Sequence, residues 1–145
     1  MGKFKFQFDS IVRVKEIFEK NIMKDISIIE KEIYSVDSKI EILKRNIKSL
    51  ENEIGMGKIS ALNYRSSKIY IKQLEGQIDS FVKVIIDLKS KKEKKFVELR
   101  EKKKEIQILE TLKENKKQEF MVESNREELM QLNDIAITNF VRKEN

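Results

Sequence analysis

The sequence contains no cysteine, histidine, tryptophan or proline, and only four of its 145 residues are glycine. Without cysteine the chain forms no disulfide, and without cysteine or histidine it lacks the usual ligands of zinc. The absence of histidine removes the most common general base, and no other residues form a catalytic constellation. We therefore predict a protein that is not an enzyme and that uses no metal ion or cofactor.

Long apolar runs are also missing. No stretch approaches the roughly 20 apolar residues that a membrane-spanning helix needs, and the N-terminal residues lack the apolar core of a secretory signal. Charged and hydrophobic residues each make up 39% of the chain, a balance that is too polar for a thick core. We expect a soluble, intracellular protein with no direct membrane insertion, built from very long helices because little interrupts them.

Apolar residues recur at alternating steps of four and three between residues 22 and 54. Every member of this stripe is Ile, Val or Leu: Ile22, Ile26, Ile29, Ile33, Val36, Ile40, Leu43, Ile47, Leu50 and Ile54. The spacing lines one face of an α-helix. A strict 3.5-residue repeat is typical of a coiled coil, in which a second helix buries the stripe. Towards the N-terminus we expect the stripe to continue through Ile11, Val14 and Phe18.

A second stripe with the same steps indicates the partner helix: Ile71, Leu74, Ile78, Phe81, Ile85 and Leu88. Gly55 and Gly57 lie between the two stripes, and glycine tolerates the left-handed backbone that often ends a helix. A short connection between matching stripes favours antiparallel pairing within one chain. Isoleucine at both core positions keeps a parallel oligomer open as an alternative.

The predicted fold class is all-α: a long two-helix antiparallel coiled-coil hairpin with an overhanging C-terminal helix. We expect a single coiled-coil unit, with helix 1 at about 10–54, a turn and short helix at about 55–65, and helix 2 at about 66–141. Residues 1–9 alternate phenylalanine with polar residues and are expected to form a frayed or extended lead-in, with Asp9 or Ser10 as the N-cap of helix 1. An overhang without an intramolecular partner either frays or binds another protein.

The second half of helix 2 is strongly basic. Residues 83–104 contain ten Lys or Arg and four Asp or Glu, a balance of 10 − 4 = +6 that equals the net charge of the whole chain. Continuing the register places Lys92, Lys95 and Lys102 on the seam, whereas a stutter would carry the seam through Phe96. We interpret the charge as a solvated coiled-coil surface and expect no nucleic-acid partner. A surface that binds nucleic acid is the alternative.

Several motifs, in order, resemble the flagellar FliJ family. Residues 3–8 (KFKFQF) and 11–16 (IVRVKE) are similar to the start of that family. The small-residue break GMGKIS at 55–60 is followed by YIKQLE at 70–75. The C-terminal stretches LETLKE at 109–114 and LNDIA at 132–136 complete the resemblance, although the family usually has Asp-Glu where this chain has Asn133 and Asp134.

The resemblance implies a non-enzymatic component of the flagellar type III protein export apparatus. It implies a coiled-coil stalk, similar to the γ subunit of rotary ATPases, that links the hexameric flagellar export ATPase to the cytoplasmic domain of the membrane export gate protein. It further implies the escort of flagellar export chaperones, and a cytoplasmic location peripheral to the membrane at the flagellar base. The alternatives are the equivalent stalk of a virulence-type secretion system, or a basic coiled coil that binds nucleic acid through 83–104.

The resemblance also assigns candidate contact residues. The candidate gate residues lie on helix 2 and are Tyr70, Leu74, Gln77 and Phe81. By analogy with rotary ATPases, both chain ends would enter the ATPase ring. The candidate ATPase residues are therefore Phe4, Phe6, Phe8, Leu129, Leu132, Ala136 and Phe140.

Overall fold

A computed structural model describes residues 2–57 and 59–144. Nearly all of these residues belong to two α-helices, α1 (Asp9–Gly55) and α2 (Ala61–Glu144), and none of them forms a strand. The two helices pack against each other, which confirms the predicted all-α helical hairpin. The bounds of α1 agree within one residue with those predicted from the heptad pattern.

The second helix begins earlier than predicted. Ser60 caps it: the Ser60 hydroxyl accepts a hydrogen bond from the Asn63 amide at 3.3 Å, and its carbonyl accepts one from the Tyr64 amide at 2.8 Å. The prediction of a separate short helix within 55–65 is therefore wrong, because residues from Ala61 onwards form the first turns of α2 itself.

The turn depends on Gly57 rather than on Gly55. Gly57 has a φ of 67° and donates its amide to the carbonyl of Ile54 at 3.2 Å, while Met56 donates to Asn52 at 3.1 Å. Gly55 remains within α1. A glycine does end the helix as predicted, but the left-handed position lies two residues further along.

The chain divides into two compact units. Residues 20–100 form the hairpin unit, which contains the turn. Residues up to 19 and residues from 101 onwards form the terminal unit, which contains the start of α1 and the second half of α2.

The core of the hairpin unit consists of the predicted seam residues. Every member of the 22–54 stripe is buried or half-buried, as is every member of the second stripe from residue 71 to 88. The most buried side chains are Ile22, Ile26, Ile40, Ile71, Leu74, Ile85, Leu88 and Leu99, each at most 8% exposed. Each helix thus removes one narrow apolar face from water, as the heptad spacing requires.

The basic part of the seam combines the two alternatives left open by the sequence. Lys92 and Lys95 are half-buried at seam positions and reach Glu30 at 3.3 Å and Asp25 at 3.5 Å on α1. Phe96 packs beside them against the cluster of Ile22, Ile26 and Leu99. The lysine stems cover apolar surface while their ammonium groups meet acids at the edge of the seam.

The terminal unit begins with the lead-in, residues 2–8, which has no regular secondary structure up to Phe6. It is extended as expected but it is not frayed, because the Phe6 side chain is only 7% exposed. The Phe8 carbonyl accepts the Val12 amide at 3.0 Å and so starts α1. Asp9 lies within the first turn, and its carboxylate accepts a hydrogen bond from Lys113 of α2 at 2.9 Å.

The predicted continuation of the stripe through Ile11, Val14 and Phe18 is wrong. These side chains are 44%, 49% and 51% exposed, and the half-buried positions are Val12, Lys15 and Glu19. The predicted residues reach Ile22 by consecutive steps of four. The half-buried residues Val12, Lys15 and Glu19 reach it by the alternating steps of three and four of the coiled coil. That register turns the neighbouring face towards α2.

Candidate protein-binding surfaces

An aromatic groove lies between the lead-in and α2. The Phe4 and Phe120 rings are 5.6 Å apart and tilted, and the Phe6 and Phe8 rings meet edge to face at 5.5 Å. The groove has a volume of about 680 Å³, and Leu112 of α2 also lines it. Lys3, Lys5, Lys116, Glu119 and Glu123 supply its charged wall. The structure therefore brings together three candidate ATPase residues, but the side chain of Phe6 is already used to hold the lead-in.

The remaining candidate ATPase residues lie on the C-terminal segment, defined here as residues 125–144 of α2. Leu129, Leu132 and Phe140 are 62%, 62% and 63% exposed, and Ala136 is exposed as well. Further apolar side chains widen this face, and every residue of the segment is exposed. A long apolar stripe on an otherwise polar helix is typical of a surface that another protein covers.

The structure separates the four candidate gate residues by exposure. Tyr70 is 49% exposed and Gln77 is exposed, whereas Leu74 is only 3% exposed and belongs to the core of the hairpin unit. Phe81 is half-buried, with the Lys39 ammonium 5.8 Å from its ring centre. Of the four candidate gate residues, Tyr70 and Gln77 are therefore the ones whose side chains are exposed.

Several exposed apolar side chains near the turn lie outside the heptad positions. Leu62 is 76% exposed, Ile69 is 53% exposed, and Tyr64 is 47% exposed with the Lys68 ammonium 5.8 Å from its ring. Further from the turn, Tyr34 of α1 is 76% exposed as well. Neither the heptad pattern nor the family resemblance predicts that these residues bind a partner. Their only signal is that they are large and apolar at positions that the seam does not use.

A small ion-pair network joins the two helices of the terminal unit. The Lys15 ammonium donates to Glu105 at 2.6 Å, and Lys102 approaches the same carboxylate at 3.4 Å. The hydrogen bond from Lys15 is the main cause that lowers the pKa of Glu105; burial opposes it, and the Lys102 ammonium lowers the pKa further. Lys102 also lies 5.8 Å from the ring centre of Phe18. The network joins α1 and α2 at polar positions that face each other in this unit.

The basic residues of 83–104 are partly neutralised. Lys92 and Lys95 pair with acids of α1, and Arg100 pairs with Glu93 at 3.2 Å along α2. These pairs reduce the positive charge available to a polyanion. The arrangement is closer to a solvated coiled-coil surface than to a basic groove with stacking aromatic rings.

In the described part of the chain, no group of three or more His, Cys, Asp or Glu residues is placed to hold a metal ion. Among the helices described, none is long and apolar enough to cross a membrane.

Residues 4–145 match the sequence profile of the family described as "Flagellar FliJ protein". The chain belongs to the flagellar FliJ family. Members of the FliJ family are components of the flagellar export apparatus rather than enzymes, and the match confirms the resemblance over essentially the whole chain. No curated protein and no solved structure matches the chain significantly. FliJ membership assigns no residue to a partner, so the candidate gate and ATPase residues stay predictions.

Proposed function

We propose that this FliJ-family protein is a coiled-coil stalk that links the export ATPase ring to the membrane export gate and escorts export chaperones. The observation that carries the proposal is the uncovered apolar face of the C-terminal segment in a chain that belongs to the flagellar FliJ family. A protein that acts through its partners needs such a face, because the seam itself is already used.

The ATPase contact is proposed for the C-terminal segment together with the lead-in. Leu129, Leu132 and Phe140 offer large apolar side chains at helical spacing, which suits docking into an apolar groove. Phe4 reaches Phe120, nine residues before Leu129, a distance of about 13 Å along the helix at about 1.5 Å per residue. The lead-in set therefore lies against a stretch of α2 that neighbours the C-terminal set.

The gate contact is proposed for the exposed face around Tyr70 and Gln77. Tyr70 combines an apolar ring with a hydroxyl, a residue type that is enriched in protein interfaces. Leu74 lies between these two residues in the sequence but is buried in the core, and Phe81 is half-buried one turn further along α2. A protein that binds the gate there would be peripheral to the cytoplasmic face of the membrane at the flagellar base.

The ATPase contact can be tested by binding of the full chain to the hexameric flagellar export ATPase. We expect Leu132→Glu to weaken binding at least tenfold, because it places a charge in a contact that is apolar. Ile108→Glu is the matched control, since Ile108 is 67% exposed on the same helix but lies before the C-terminal segment. Equal affinities for both variants would contradict the proposed contact.

A truncation gives a second test. Ending the chain after residue 124 removes the C-terminal segment but keeps Phe120, so the aromatic groove and the lead-in remain. We expect the full chain to recover the ATPase from a flagellated cell and the truncated chain to fail. Retention of ATPase by the truncated chain would assign the contact to the lead-in or to another surface.

Nucleic-acid binding through 83–104 is the function that the structure favours less. The ion pairs of Lys92, Lys95 and Arg100 leave fewer cations for phosphate contacts. We therefore expect no tight binding to duplex DNA at physiological salt. Binding whose logarithm falls steeply with the logarithm of salt concentration, with a slope near about −0.9 per phosphate contact, would contradict this expectation. The FliJ match also favours the flagellar system over a virulence-type one.

A further inference from the structure

The C-terminal segment is helical over its whole length but has no cover within the chain. All of its residues are exposed, and none of them forms an ion pair with another described residue. The aromatic groove, which the lead-in shares, extends along α2 only as far as Glu123. The apolar stripe of the C-terminal segment is therefore uncovered on a helix that is already formed, and its side chains can pack against another helix.

The pattern of this stripe is complementary to itself when two copies run in opposite directions. Leu129, Leu132, Ala136 and Asn139 follow the alternating three and four steps of a coiled-coil seam. In an antiparallel pair, the residue numbers of facing seam positions have a constant sum. Setting this sum at 268 places each Leu132 opposite Ala136 of the other copy, so that a large side chain meets a small one at two symmetric places.

The same register matches the charges beside the seam. The positions directly before Leu129, Ala136 and Lys143 are Glu128, Ile135 and Arg142. In an antiparallel pair, these flanking positions of one copy face the equivalent flanking positions of the other copy. In this register, the residue numbers of two facing flanking positions sum to 270. Glu128 of one copy therefore meets Arg142 of the other, twice by symmetry, and the two Ile135 side chains meet near the twofold axis.

We infer that the C-terminal segment binds a second copy of the same segment as an antiparallel helix pair in this register. A parallel pair would place Glu128 near Asn133 and would give Arg142 no acidic partner, so the charges select the antiparallel arrangement. Self-association does not depend on the ATPase contact proposed above. Since the two contacts use overlapping apolar residues, the ATPase and a second copy would compete for the segment.

The size of the interface predicts a weak, reversible dimer. Each copy offers few large apolar side chains at or beside this seam: Leu129, Leu132, Ile135 and Phe140 are 57–63% exposed. Burying roughly 500 Å² per copy gives about 1,000 Å² in total, at the lower limit for a specific interface. We expect a dissociation constant in the micromolar range, at which the segment remains available to other partners.

The decisive experiment is a charge exchange on the full chain, followed by sedimentation equilibrium over a wide range of concentrations. Glu128→Arg alone and Arg142→Glu alone each turn both attractive pairs into repulsive ones. We expect each variant to dimerise about tenfold more weakly than the natural chain, from contributions of the size measured for exposed ion pairs. The double variant carrying both changes should dimerise as the natural chain does.

Mixing the two single variants tests orientation directly. One copy then carries two bases and the other two acids at the facing positions, so the mixture should form a heterodimer more tightly than either variant forms a homodimer. The two charged positions are 14 residues apart, or about 21 Å along a helix. A parallel pair could not bring them together, so weakening of each single variant combined with recovery in both the double variant and the mixture identifies the antiparallel register.

The absence of native cysteine allows a second measurement. Ile135→Cys should be joined to itself by a short bismaleimide crosslinker. Ile137→Cys, two residues away on the outer side of the same helix and 62% exposed, should crosslink far less. A natural chain that stays monomeric up to several hundred micromolar would overturn the inference. A dimer that tolerates both single charge changes, or that crosslinks equally through both cysteines, would overturn the register and with it the proposed pair.

Discussion

Replacing Phe6 with alanine is expected to release the lead-in from α2 while leaving both helices intact. Phe6 is the one lead-in residue that is buried, at 7% exposed, and no backbone hydrogen bond of a helix or sheet holds the segment beside α2. The neighbouring Phe4–Phe120 contact depends on the lead-in staying in place. One side chain thus anchors a segment that would otherwise be free.

Full burial of a phenylalanine side chain contributes about 2–3 kcal/mol. The larger losses found in closed cores include a cavity term, which is small here because the groove is open and water can enter it. At about 1.4 kcal/mol per factor of ten, the truncation should raise the ratio of detached to docked lead-in by roughly 30- to 100-fold. Ordering each backbone residue costs about 1–2 kcal/mol. The net free energy that keeps the lead-in docked is therefore small, and such a loss should be enough to detach it.

The chain has no tryptophan, so Phe120→Trp provides a single fluorescent reporter beside the lead-in. In that background, we expect Phe6→Ala to shift the emission to longer wavelength and to increase quenching by acrylamide. Far-UV circular dichroism should be unchanged, since the residues that detach are not helical. The control is Gln7→Ala, an exposed position in the same segment.

Two results would refute this reasoning. If Phe6→Ala left the quenching of the reporter as low as in the control, the buried phenylalanine would not be what holds the lead-in. If it instead lowered the helical signal substantially, the lead-in would be needed for the helices themselves.

Three further predictions concern stability. Leu99→Ala, at a position 7% exposed, should lower the free energy of unfolding in urea by about 2–3 kcal/mol. Val97→Ala, at a position 42% exposed, is the control and should lower it by less than about 1 kcal/mol. Equal losses would contradict the assigned seam. Because its pKa is lowered in the folded protein, Glu105 stabilises the fold at neutral pH and loses this effect as the pH falls through the lowered value. Glu105→Gln should therefore lower the melting temperature near neutral pH and make little difference at about pH 2, and a difference that persisted in acid would exclude the ion pair as its cause. Gly57→Ala should destabilise the protein by about 1 kcal/mol, because Gly57 has a left-handed φ. Gly55→Ala should stabilise it slightly, because Gly55 lies within α1 and an added Cβ there meets nothing within 4 Å. Equal effects of the two changes in thermal melts would count against the assigned turn.

Much of the hairpin unit could be predicted from local pattern alone. Heptad spacing identifies which side chains of each helix must leave water, so the stripe between residues 22 and 54 and the stripe from Ile71 to Leu88 both became the seam. The end of α1 followed from glycine chemistry. These features depend on neighbours a few residues away, which the sequence displays directly.

The register at the start of α1 could not be predicted in this way. Ile11, Val14 and Phe18 are more apolar than Val12, Lys15 and Glu19, yet the second set faces α2. An unbroken helix keeps its rotation along its length, so the packed face at one end constrains the face at the other. The Lys15–Glu105 pair, which bridges residues 90 positions apart, then makes polar residues acceptable at that interface.

The candidate binding residues show the same division. Composition and heptad spacing are enough to show that the chain ends are rich in phenylalanine and leucine, and that the C-terminal stripe lacks a matching partner within the hairpin. The packing of distant segments is what makes Phe6 an anchor rather than an open contact, and what places Leu74 but not Tyr70 in the core. The reason is that periodicity tells which residues share a face of one helix, whereas exposure depends on which distant segment comes to lie against that face.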